Sequence, residues 1–291
     1  MKTEKRYRMI VLDLDGTLLL PDGSVSDRTV DALRRAVAAG YLVCVATGRN
    51  LTESRAIVQR IGVLHECVFV GGAMVIDTRA EKTLHRTVMH TKLASEVAGL
   101  FESLGHAALA LQDTCETGLD YLITRDIPIA RGTTNWLAAL KMGVEYVPTL
   151  GHFDHRHTLR VGICCTIAQA RQVVPVVQSH FGDRIMTHSL HVPNMECDVV
   201  EVFDPAVSKW VGIRFIADRH RVSPHQIIAI GDDNNDIAMV KHCGLGIAMG
   251  NARQTLKNVA KRIIANNTQD GVAEFLDELL DGKVEPAACG V

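Results

Sequence analysis

The sequence predicts an α/β fold in which a parallel-sheet core is interrupted by an inserted α+β domain. Three observations carry that prediction. Short β-rich apolar runs alternate with helix-patterned stretches at both ends of the chain, which calls for a parallel sheet covered by helices. Between residues 85 and 192 this texture gives way to strand-like runs broken by long helical stretches. Acidic clusters close two of the apolar runs, at "DLDGT" and "GDDNND".

The first strand is "RMIVLDLD" (8–15), a run apolar enough to be buried on both faces. A helix follows at 26–40, opened by the cap residue Ser26 and closed by Gly40. A strand at 41–48, a helix at 51–62 and a strand at 67–72 continue the alternation. Within the insert, "TLHRTVM", "HAALALQDT", "LDYLIT", "TLRVGICCT" and "IMTHSLHV" read as strands, and 91–105 and 167–182 as helices. The first texture returns near residue 196. There "CDVVEVF" predicts a strand, 207–220 a helix and "QIIAIGDD" a buried strand. A short helix at 235–243, a strand at 245–250 and a helix at 253–260 complete the pattern. The expected division is 1–84 plus 193–291 for a discontinuous core and 85–192 for the insert, with residues 281–291 a loose tail.

A chain of 291 residues has room for one large domain or two unequal ones. Its 47% hydrophobic and 22% charged residues are those of an ordinary globular protein. A net charge of −2 and an aromatic content of 4% argue against nucleic acid and anionic membrane as partners. No run approaches the roughly 20 apolar residues of a membrane span. The N-terminal apolar run meets Asp13 too soon for a signal peptide. The eight cysteines are scattered, without a C-x-x-C pair, and several lie inside apolar runs. They read as packing thiols of a cytoplasmic protein.

Chemistry is expected where strands end, because ligands of open parallel sheets gather beyond the carboxyl ends of the strands. Asp13 and Asp15 share a strand face if the extended conformation persists, and Gly16 then lets the chain turn. At "ATGRN", Thr47 offers a hydroxyl, Gly48 a close backbone approach, and the next helix free N–H groups for a phosphate. Read alone, "TGR" is a helix cap. The three aspartates and two asparagines of "GDDNND" (231–236) offer hard oxygen ligands of the kind Mg²⁺ prefers. Lys209, at a helix start, would balance charge if it lies among these carboxylates.

In this order, D-x-D-G-T, Thr-Gly-Arg, a helix-start Lys and G-D-x-x-N-D resemble the haloacid-dehalogenase superfamily of phosphohydrolases. The long insert, "GIAMGNA" (246–252) and "NNTQDGVAEFL" resemble its Cof-type phosphatase branch, class IIB. The resemblance implies a Rossmann-like parallel-sheet core with an inserted α+β cap domain that selects substrate. It implies Asp13 as nucleophile, forming an aspartyl-phosphate, and Asp15 as general acid and then base. Thr47, Gly48 and Lys209 would hold the phosphoryl group, with Asn235 contacting it or supporting the loop. Mg²⁺ would sit between Asp13, the Asp15 carbonyl and Asp232, with Asp236 orienting Lys209 or metal-bound water. Asp15 favours phosphatase over dehalogenase, since an alkoxide leaving group needs a proton.

The expected activity is therefore Mg²⁺-dependent hydrolysis of a small phosphorylated metabolite, a sugar phosphate first. A phosphomutase and a non-enzymatic phosphometabolite sensor are the alternatives, and the oligomeric state is open. Two positions depart from the family pattern: Gly71 replaces Asn in Asn-Gly-Ala, and Trp210 replaces Gly after Lys209. Arg49 reads as a surface arginine. The cluster His152, Asp154, His155 and His157 reads as a polar loop of the insert rather than a metal site.

Overall fold

The computed structural model describes residues 6–192 and 197–284. It divides into two compact units: the residues up to His85 together with those from Ser208 on, and Arg86–Val207.

The first unit is built on five parallel strands in the order Arg262–Ile263, Leu245–Ala248, Ile227–Gly231, Met9–Leu12, Leu42–Val45. Met9, Ile10, Val11 and Leu12 are wholly buried, which is why the central strand is continuously apolar rather than alternating. Leu12 lies level with Ile230 on one side and Val45 on the other, so Asp13, Thr47 and Asp232 all follow strands at one sheet edge. A parallel bridge from Ala46 to Val68 adds Glu66–Phe69, which turns back antiparallel onto Met74–Asp77 and then Lys82–Arg86. The helix Asp27–Ala38 starts at Ser26, whose side chain accepts the Thr29 N–H, as its sequence predicts.

The second unit is a six-stranded sheet in the order Met186–Val192, Cys197–Phe203, Thr158–Cys165, Leu109–Gln112, Tyr121–Thr124, Val144–Val147. All its pairs are antiparallel except the last, which is parallel. The helices Thr91–Ser103 and Ile167–Phe181 bury Phe101, Val173 and Val177 with Val161, Ile163, Val200 and Val202 of the sheet. On the other face Arg160 and Glu201 form a buried ion pair at 2.6 Å.

One expected boundary moves. Cys197–Phe203 was expected in the core from residue 193, but it pairs on both sides within the antiparallel sheet, and the second crossing falls at Ser208. Its composition suits either sheet, and only its non-local partners decide. The helix Arg131–Ala139 and the strands Val144–Val147 and Met74–Asp77 were not expected. The expected helix 253–260 is one turn, Gln254–Lys257. The expected tail lies outside the described residues from 285 on. Among the described residues the cysteines are free thiols, five of them buried, and no helix is long and apolar enough to cross a membrane.

Candidate active site

Asp13 is the first residue beyond its strand. Its N–H donates to the Ile230 carbonyl, which keeps it extended, and it is only 4% exposed. The chain then closes a single wide turn over Leu14–Leu18, with the Leu19 N–H on the Leu14 carbonyl. That turn needs Gly16, whose φ is +75°; a Cβ there would also stand 2.2 Å from Asp232 Oδ2. The missing side chain thus lets the loop 13–19 and the "GDDNND" loop close on one another.

Lys209 joins the two loops. Its Nζ donates to Asp13 Oδ1 at 2.6 Å and to Asp236 Oδ1 at 2.6 Å, with the side chain 1% exposed. The other oxygen of Asp236 accepts the N–H groups of Asp232 and Asp233 at 3.0 and 3.2 Å. Asp236 is therefore a brace for Lys209 and for its own loop. Lys209 is placed by Gly72, where a Cβ would stand 1.9 Å from the Ser208 carbonyl oxygen and 2.8 Å from the Lys209 nitrogen. The backbone from Val70 to Gly72 has positive φ throughout, including the β-branched Val70 at +53°. Such strain persists only where surrounding structure fixes it. Here the Val70 and Gly71 N–H groups donate to the carbonyls of Arg49 and Thr47.

Oxygen atoms of Asp13, Asp232 and Asp236 lie within 4.8 Å of one another, the one candidate metal cluster among the described residues. Three carboxylates against one ammonium would leave, with all three ionised, two uncompensated negative charges in a largely buried space. Burial, opposed by Lys209 and reinforced by Asp236, raises the Asp13 carboxyl well above its ordinary range. Burial together with Asp236 and Asp233 pushes Asp232 up to about 7. Burial alone would lower Lys209, but Asp13 and Asp236 hold it above its ordinary value. An all-oxygen donor set with a charge deficit of two fits a small divalent cation.

Asp13 and Asp15 do not share an environment. Asp15 is exposed and lies in a two-pronged ion pair with Arg49, Nε to Oδ2 at 2.8 Å and Nη2 to Oδ1 at 2.6 Å. Arg49, read from sequence as a surface residue, is thus part of the site. Its partner is 34 residues away, and no local pattern announces the pairing. Thr47 is fully buried, and its Oγ1 accepts the Arg49 N–H at 3.2 Å. A Cβ on Gly48 would meet no atom within 4 Å, so packing does not require glycine there. The expected free N–H groups of the next helix are partly spent. Asn50 and Glu53 satisfy one another's N–H groups in a capping box. Asn235 is exposed on its loop, and Trp210 leans on His242 at 6.0 Å.

The loop 152–157 forms no metal-type cluster among the described residues. His155 is buried between Thr158 Oγ1 and the Leu150 carbonyl, His157 meets Arg86, and Asp154 pairs with Arg156. No local pattern announces Asn251 and Asn267, which donate to the carbonyls of Gly16 and Leu19 at 2.8 and 2.7 Å. They lie in the very segments that carried the Cof-type resemblance.

Comparison with known proteins defines the class. A profile of the haloacid dehalogenase-like hydrolases matches residues 10–276, and the chain belongs to that family. It is an enzyme of the family's phosphatase type. It is 29% identical to the 5-amino-6-(5-phospho-D-ribitylamino)uracil phosphatase of Bacillus subtilis, over 94% of this chain and 98% of that one. To the pyridoxal phosphate phosphatase of Escherichia coli it is 28% identical, over 92% and 97%. A haloacid dehalogenase-like hydrolase structure from Bacteroides thetaiotaomicron superposes with a TM-score of 0.78 at 20% identity, covering 94% of this chain and 99% of that one.

Proposed function

We propose that this protein is a Mg²⁺-dependent phosphatase that removes phosphate from a small metabolite through a phosphoryl group carried on Asp13. The observation that carries the reading is the buried Lys209 held between Asp13 and Asp236, beside an Asp232 that has no ion pair among the described residues. Asp13 and Asp232, with the Asp15 carbonyl, are the proposed metal ligands, since both oxygens of Asp236 are engaged. When bound, the cation supplies the positive charge that lets a carboxylate approach a phosphate dianion.

Phosphoryl transfer is largely positioning and charge stabilisation. Asp13 Oδ attacks phosphorus as the bond to the leaving oxygen breaks, and Asp15 gives that oxygen its proton. Asp15 then takes a proton from the water that attacks the phosphorylated Asp13, releasing phosphate and restoring the carboxylate. Lys209 spreads positive charge over Asp13 and the arriving phosphoryl oxygens. Thr47 Oγ1 already accepts an N–H, which leaves its hydroxyl proton to donate to phosphate. The unit Arg86–Val207 is proposed as the cap that selects the leaving group and excludes water.

Sugar phosphates head the proposed substrates. Two relatives, named as phosphatases of a phosphoribitylaminouracil and of pyridoxal phosphate, extend the test to polyol and cofactor phosphates. The test is a phosphate-release panel over these classes, scored by kcat/KM with and without Mg²⁺. Release that needs Mg²⁺ and vanishes in Asp13→Asn supports the reading. An isomeric sugar phosphate in place of inorganic phosphate would indicate a mutase. Full activity in Asp13→Asn would overturn the mechanism.

A further inference from the structure

We propose that Arg49 is a positioning residue for the acid–base carboxylate, acting on departure of the leaving group rather than on capture of the phosphate. The proposal rests on the reading of Asp15 as general acid. A carboxylate that must first protonate one oxygen and then deprotonate a water has to keep one orientation through both steps. The Asp15 side chain is 57% exposed, and apart from Arg49 no hydrogen-bond partner holds it among the described residues. The planar guanidinium engages both carboxylate oxygens at once, which fixes the plane as well as the position of the carboxylate.

Arg49 can impose that orientation because its own backbone is tied down. Its N–H donates to Thr47 Oγ1 and its carbonyl accepts the Val70 N–H. The next residue, Asn50, is locked in the capping box of the helix Leu51–Ile61. Asp15 in turn precedes the left-handed Gly16. The pair therefore joins two fixed backbone points across the mouth of the same sheet edge. As a stabilising contact an ion pair this exposed is worth little. Its orienting effect bears directly on one bond: the Asp15 O–H breaks as the proton passes to the oxygen that phosphorus is leaving, while the Asp13 O–P bond forms. Arg49 itself exchanges no proton.

Leaving-group dependence separates this role from phosphate binding. An aryl phosphate such as 4-nitrophenyl phosphate departs with little need of a proton, whereas an alkyl phosphate needs one. We expect Arg49→Met to lower kcat/KM for an alkyl phosphate by about 100-fold and for 4-nitrophenyl phosphate by less than about threefold. Arg49→Lys, a point charge without the fork, should recover part of the loss. Asp15→Asn should show the same steep dependence, and adding Arg49→Met to it should cost little more, because both act through one group. An equal loss across the substrate series, or losses that add in the double variant, would overturn the proposal. A wild type that hydrolyses none of the series sinks the phosphatase reading and this proposal together, whereas an active wild type with a flat Arg49→Met profile removes only the latter.

Discussion

Lys209 Nζ lies 2.6 Å from Asp13 Oδ1 although the two residues are 196 positions apart, and both side chains are almost wholly buried. A buried ammonium is tolerated only when paired. Removing it strands Asp13 and Asp236 without a cation. Lys209→Met should therefore cost about 3–5 kcal/mol of stability as well as abolishing turnover. Urea titration followed by circular dichroism reads the first effect. An unchanged midpoint would show that the lysine does not hold these loops together.

Gly72 makes that contact possible, since its missing Cβ admits the backbone of Ser208. Gly72→Ala should destabilise the first unit by more than about 2 kcal/mol, adding a steric clash to the cost of a left-handed conformation. Gly23→Ala is the control. Its φ is also positive, at +80°, but nothing lies within 4 Å of the added carbon, so only the conformational cost should appear. Similar losses in the two variants would remove the clash from the account.

Asn251 ties the Gly16 turn to the segment at Asn267, and its near neighbour Arg253 ties in the acidic loop. The Asn251 side chain donates to the Gly16 carbonyl and accepts the Asn267 N–H at 3.1 Å, while the Arg253 N–H donates to the Asp232 carbonyl at 2.9 Å. Supports of this kind typically contribute 10–100-fold to metal affinity. Asn251→Ala should weaken Mg²⁺ binding by about tenfold in direct calorimetric titration, without substrate. Asn251→Asp, equal in shape but lacking the donor, should weaken it too. Wild-type affinity in both variants would show the clamp to be dispensable.

Acid should weaken the unit Arg86–Val207. Burial opposes ionisation of Glu102, but hydrogen bonds from Thr124, Thr149 and the Leu150 and Gly151 N–H groups outweigh it and hold its pKa below the ordinary value. A depressed carboxylate contributes stability above its unfolded pKa, which is lost as pH falls through the folded value. Burial likewise keeps His155 neutral below its ordinary value. The unfolded chain takes up that proton first, so stability declines from about pH 6.5 downward. Glu102→Gln should cost about 1–3 kcal/mol at pH 7, with the two stability curves converging below about pH 4. Parallel curves across that range would count against the Glu102 network.

The sequence showed the parallel core because Met9–Leu12 and Ile227–Gly231 are apolar on both faces, and only strands of a covered sheet can be. It also showed which residues stand at the strand ends, since chemistry-bearing groups there interrupt the apolar runs. What it withheld depends on distant partners. The strand Cys197–Phe203 has a composition that fits either sheet, and its neighbours Thr158–Cys165 and Met186–Val192 decide the matter. The pairing of Arg49 with Asp15 and the clamp from Asn251 to Gly16 are contacts between polar residues on separate loops. Polar loop residues carry no periodicity from which such contacts can be read.

On the proposed mechanism Asp13 carries the phosphoryl group. Enzyme in excess over a turned-over phosphate ester, with Mg²⁺, is acid-quenched within the first turnover and its peptides are weighed by mass spectrometry. A single phosphoryl group on the peptide containing Asp13, absent in Asp13→Asn, is the predicted result. Turnover without any phosphorylated peptide, or a phosphoryl group that persists in Asp13→Asn, would contradict it.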